Sequence, residues 1–110
     1  MDNVSKLVHE ALLWIDGLEL PLRANQGICS LVEDYCVTNA GWEAYFDAGL
    51  HEEVDLLLQS LFEEWPKYSG QPAFPIPGGA GAYFGSCRWE GEYGALREEL
   101  LQFMIEQTNG

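Results

Sequence analysis

The sequence predicts an all-α fold, a small bundle of about four helices with a long ordered aromatic, Gly- and Pro-rich loop between its last two main helices. Three observations carry this. Apolar side chains recur at three- and four-residue spacings in several separate stretches, which is the pattern of a helix with one buried face. Period-two runs and two-residue hairpin turns are missing. Four of the five prolines, with the run Gly78-Gly79-Ala80-Gly81, gather between Pro66 and about Glu92. A short two-stranded pairing within residues 70 to 90 is the one β alternative.

Val4, Leu7, Val8, Ala11, Leu12 and Ile15 form the first stripe, behind an Asp2 or Asn3 that can cap free N–H groups and ahead of a stop at Asp16-Gly17. The connector from Leu18 to Asn25 contains Pro21, and its Leu18, Leu20 and Leu22 are expected to lie on the core. A second helix starts at Asn25 or Gln26 and carries Ile28, Cys29, Leu31, Val32, Tyr35 and Cys36, with 28, 32, 35 and 36 on one face. Thr38-Asn39-Ala40-Gly41 reads as a break. A short helical turn follows, with Trp42, Tyr45 and Phe46 on one side, ending at Asp47-Ala48-Gly49.

The clearest stripe is Val54, Leu57, Leu58, Leu61, Phe62 and Trp65, preceded by Glu52, Glu53 and Asp55 where carboxylates suit the helix dipole. Pro66 is expected to stop this helix. From 66 to 92 the chain reads as a loop pinned to the core by Tyr68, Phe74, Ile76, Tyr83, Phe84 and Trp89, since so long a span without regular structure is more often functional or packed than idle. A last helix runs from about Tyr93 to Gln107 with Leu96, Leu100, Phe103 and Met104 inward.

At 110 residues this is one domain, 1–110, and its charge is its loudest property: 18 acidic against 5 basic side chains, a formal net charge of -13. Such a chain could be disordered. Leu, Ile, Val and Phe number 29 of 110, however, above the roughly 20% at which charged chains fail to collapse. The five cations, Lys6, Arg23, Lys67, Arg88 and Arg97, are scattered singly. Nucleic-acid binding needs a basic stripe and anionic membranes need a basic patch, so neither is expected. The opening Met1-Asp2-Asn3 has no basic or apolar leader character, and no stretch is apolar enough to span a membrane; a cytoplasmic protein is expected.

No residue set points to catalysis or to a cofactor. Cys29, Cys36 and Cys87 are odd in number, and the seven-residue spacing of the first two, with His9 and His51 far off, does not suit zinc; two small buried hydrophobes and one loop thiol are the expectation. His51, beside Glu52, Glu53 and Asp55 with no nucleophile near it in sequence, reads as a capping or solvated histidine, and His9 as a residue of the polar side of its helix. The carboxylate pairs Glu33-Asp34, Glu63-Glu64 and Glu98-Glu99 point about 100° apart on their helices and do not converge. The glycine run lacks the Lys-Ser/Thr of a phosphate loop.

The carboxylates are the candidate site. Glu52, Glu53, Asp55, Glu63 and Glu64 form the predicted polar side of the third main helix, a docking surface for a basic protein. A duplex carries one charge per roughly 1.7 Å, so a helix of ~22 Å would need on the order of 13 phosphate equivalents. The five carboxylates between His51 and Trp65 fall short, which leaves partial DNA mimicry as an arrangement needing several helices. The alternative is a small-molecule module, for a nucleotide signal for instance, that closes the 66–92 loop through Tyr83, Phe84 and Trp89 but has few cations for phosphate.

Gly27-Ile28-Cys29, the stretch from Leu61 through Trp65-Pro66-Lys67-Tyr68-Ser69-Gly70, Phe74-Pro75-Ile76-Pro77, and the stretch from Trp89-Glu90-Gly91-Glu92-Tyr93-Gly94 to Leu101 occur in an order that resembles a family of small proteins of tailed bacteriophages and prophages. The resemblance covers about half of the chain. It implies a phage origin and a role in the cytoplasm of the infected bacterium, and it brings no catalytic residues. Joined to the charge, it implies a non-enzymatic inhibitor or redirector of a basic host protein, of the host-takeover or anti-defence type, as anti-CRISPR and anti-restriction proteins are.

Overall fold

The computed structural model describes residues 2–69, 84 and 94–109, and every regular element among them is helical. Helix α1 (Asn3–Asp16) begins where Asp2 accepts a hydrogen bond from the Ser5 N–H at 2.7 Å, which also holds the Asp2 carboxyl below its ordinary range. Its stripe is the expected one: Val8, Ala11, Leu12 and Ile15 are fully buried. Gly17 closes the helix by donating to the Leu13 and Trp14 carbonyls.

The connector differs from expectation. It forms a single-turn helix, α2 (Leu20–Arg23), with Pro21 in its first turn; Leu20 and Leu22 face solvent, Leu18 is partly buried, and Arg23 is the residue turned inward. A four-residue helix presents only about one side chain to a neighbour, and here an ion pair between Arg23 and Glu98 takes that place.

Helix α3 (Ile28–Ala40) starts two or three residues later than the expected Asn25 or Gln26. Gly27 occupies the cap position, while Gln26 donates to the Asp34 carboxylate at 2.9 Å. Ile28, Leu31, Val32 and Cys36 are buried and Tyr35 is partly so. The helix continues through Thr38 and Asn39 and breaks only at Gly41, whose φ of 91° is costly for any residue with a Cβ. A π-helical turn (Glu43–Asp47) follows, closed by the Ala48 N–H donating to the Glu43 carbonyl at 2.9 Å. Its wider bore sets Tyr45 apart from the other two aromatics: Tyr45 is buried, while Phe46, partly buried, packs beside exposed Trp42.

Helix α4 (Leu50–Ser69) buries Val54, Leu58, Leu61, Phe62 and Trp65, with Leu57 at the margin. Pro66 does not end it. Proline forfeits its own N–H and crowds the carbonyl four residues back, but its φ is helical, so within a turn of the helix end the chain goes on to Ser69. Residues 66–69, expected to open the loop, are therefore helical. Phe84 is fully buried; Tyr68 falls within α4, while Phe74, Ile76, Tyr83 and Trp89, and the possible strand pairing, lie outside the described residues.

Helix α5 (Gly94–Thr108) turns Leu100, Leu101, Phe103 and Met104 inward, and also Arg97. It runs antiparallel to α1. Three links in descending register show this: His9 Nδ1 with Thr108 Oγ1 at 2.9 Å, the Gln102 amide donating to the Asp16 carboxylate at 3.0 Å, and the pair of Arg23 with Glu98 just beyond α1. Helix α1 is central, packing on α3, α4 and α5, and one apolar core unites all the long helices.

Candidate functional site: an acidic helix face and an aromatic groove

All five predicted carboxylates, Glu52, Glu53, Asp55, Glu63 and Glu64, are exposed. Eleven residues, close to three helical turns, separate Glu52 from Glu63 and Glu53 from Glu64, so the two pairs form near-parallel lines about 16 Å long on the outer side of α4. Asp55 flanks the Glu52 line, on the side where its charge also reaches Cys29. Between the lines stands Leu56, 68% exposed. Leu56 lies off the buried stripe, and an apolar residue off the stripe of an amphipathic helix is the signal the sequence holds for an exposed apolar side chain.

A second surface lies between α1, α3 and the π turn. It is a groove of about 570 Å³ whose lining includes Trp14, Tyr35, Trp42 and Phe46 together with Glu33 and Asp34. Trp14 and Tyr35 pack with ring centroids 5.6 Å apart, Trp42 and Phe46 at 4.3 Å. The indoles nonetheless stay open to solvent, Trp14 at 39% and Trp42 at 63%. Trp14 sits on the outward side of α1, adjoining exposed Leu13, so its position off the stripe was again the only trace in the sequence.

The remaining chemistry-bearing residues serve the fold. His51 Nδ1 lies 3.0 Å from the Tyr45 carbonyl; a carbonyl only accepts, so Nδ1 carries the hydrogen. The ring also packs beside Tyr45 and Phe46, latching the π turn onto the start of α4. His9 is likewise tied in, through Thr108. Cys36 is buried and Cys29 partly buried, both as free thiols, and burial pushes each up to about 11, with the Asp55 carboxylate adding to the effect at Cys29. Such thiols are poor nucleophiles at neutral pH. Burial also drives the Tyr45 phenol well above its ordinary range. Among the described residues, no three His, Cys, Asp or Glu side chains gather as a metal site requires.

Of the loop residues expected to hold a small molecule, Phe84 meets Trp65 edge-on, centroids 5.9 Å apart, in the core. Tyr83, Trp89 and the thiol of Cys87 lie outside the described residues.

Fold and surface together define a compact all-α protein that, among the described residues, exposes carboxylates and a few large apolar side chains. Among the described residues no helix is long and apolar enough to cross a membrane. No family model matches the chain, and no curated protein or solved structure matches it.

Proposed function

We propose that this chain is a phage-encoded, non-enzymatic interaction protein that binds a basic host protein in the bacterial cytoplasm and inhibits or redirects it, as host-takeover and anti-defence proteins do. The observation that carries the reading is the outer side of α4, where Leu56 stands 68% exposed between two lines of carboxylates. An apolar anchor flanked by like charges is an economical docking surface: the leucine supplies contact area, and the carboxylates steer a cationic partner and reject anionic ones. Against a protein with a net charge of -13, only a basic partner gains from long-range attraction.

A nucleic-acid-binding host protein is one such partner. The wide spacing of the α4 carboxylates favours ordinary docking, with mimicry of a duplex limited to part of the contact.

The test is capture of a partner from bacterial lysate by the wild-type chain and by Glu63→Lys/Glu64→Lys, at low and at several-hundred-millimolar salt. The expected outcome is a basic protein retained at low salt and released both by salt and by the charge reversal. Retention that survives both changes would remove the acidic face from the interface.

A further inference from the structure

We infer that the groove between α1, α3 and the π turn is a binding site for the side chain of an arginine presented by a basic polypeptide. The inference deepens the reading of a basic partner and rests on it only for the source of the arginine; the groove shares no residue with the outer face of α4.

Three properties of the groove converge on a guanidinium. Its walls are aromatic: Trp14 with Tyr35 and Trp42 with Phe46 form two packed pairs along one depression of about 570 Å³, a space large enough for a long side chain. The two indoles are exposed although each offers one of the largest apolar surfaces in the chain, and indole is the best partner for a cation over its face. Among the described residues the charged side chains that line the groove are carboxylates, Glu33 and Asp34. Asp34 is held in place by the Gln26 amide at 2.9 Å on one oxygen, so the carboxylate is oriented before any ligand arrives.

Arginine answers each property better than the alternatives. Its plane stacks on an aromatic wall, its fork matches a carboxylate edge, and it is more weakly hydrated than an ammonium. Lysine would place a strongly hydrated point charge against the same rings. An anionic ligand such as a nucleotide would meet Glu33, Asp34 and the charge of the whole chain. An uncharged apolar side chain would meet the aromatic walls but make no use of the two carboxylates.

The wide π turn contributes directly, because it lets Trp42 and Phe46 share the groove while Tyr45 enters the core. An ordinary α-helical turn would place residues 42, 45 and 46 along one face, as the sequence pattern suggested.

The experiment titrates a short blocked peptide, acetyl-Gly-Arg-Gly-amide, into the isotopically labelled protein while following the tryptophan indole N–H resonances. Peptides carrying lysine or citrulline, the uncharged isostere, are run in parallel. Expected are saturable shifts at Trp14 and Trp42 with Trp65 unmoved, arginine binding severalfold tighter than lysine, and no saturable response to citrulline. Trp42→Leu and, separately, Glu33→Gln/Asp34→Asn should each weaken binding about tenfold. Trp42 is exposed, so its variant keeps the fold, which the Trp65 resonance reports. Glu63→Lys/Glu64→Lys should bind the peptide as the wild type does. Equal response to citrulline, shifts that never saturate, shifts centred away from Trp14 and Trp42, or a loss of binding in the α4 variant equal to that in the groove variants would each overturn the inference. Peptide binding with no salt-sensitive partner in lysate would leave the groove standing and remove the α4 reading, and the reverse result would do the opposite.

Discussion

The guanidinium carbon of Arg97 lies 5.6 Å from the centre of the Phe84 ring, and both side chains are buried. With Trp65 edge-on to the same ring, this contact joins α4, α5 and Phe84. Cation–π attraction strengthens when both partners are desolvated. A double-mutant cycle of Arg97→Met and Phe84→Leu, followed by urea denaturation, should return a coupling energy of about 1–2 kcal/mol. Coupling below about 0.5 kcal/mol would show that the contact between Arg97 and Phe84 adds nothing beyond packing.

Gly41 separates α3 from the π turn with φ at 91° and ψ at 152°, a region that residues bearing a Cβ avoid. A Cβ built there meets nothing within 4 Å, so the penalty of Gly41→Ala is entirely backbone strain, about 1–3 kcal/mol. Gly17, with φ at -81°, is the control: Gly17→Ala should be neutral or stabilising by about 0.5 kcal/mol. Paired thermal melts decide it.

The buried thiol of Cys36 makes stability fall in alkali. Its folded value of about 11 exceeds the 9.0 of an ordinary thiol, so between these values the unfolded chain has lost a proton that the folded chain keeps. The contribution is therefore complete below pH 9 and is lost as pH rises toward 11, on the order of 2 kcal/mol in all. Cys29 and Tyr45, both raised mainly by burial, act in the same direction. Cys36→Ala should flatten the decline of unfolding free energy between pH 9 and 11; an unchanged slope would show that Cys36 does not drive it.

A chain of net charge -13 repels itself when compact. Added sodium chloride should raise the melting temperature steadily over the range in which the Debye length shrinks from about 30 Å to about 8 Å. Partner capture should weaken over the same range, and opposite responses of stability and binding in one salt series separate screening from general denaturation.

Leu56 can be removed at little structural cost. Leu56→Ser should change unfolding free energy by no more than about 0.5 kcal/mol, because the side chain is 68% exposed. If it anchors the partner, capture should fall about tenfold or more. Full retention of capture would place the anchor elsewhere.

Periodicity made the long helices legible. The stripes of α1 and α4 appear in the structure almost residue for residue, because a helix that must bury one face writes that face into its spacing. Asp2 was legible as a cap for the same local reason. The signals that misled were also local. Pro66 reads as a stop, and Leu20 and Leu22 read as core, when only near neighbours in sequence are weighed.

Arg23 and Arg97 turn inward because Glu98 and Phe84, distant in sequence, meet them there. Trp14 joins Trp42 in one groove because α1 lies against α3 and a π turn swings Trp42 outward. The acidity and the helices follow from composition and spacing, which each stretch of chain carries within itself. Which carboxylates and aromatics share a surface depends on how the helices pack, and packing is a property of pairs of segments that no single segment encodes.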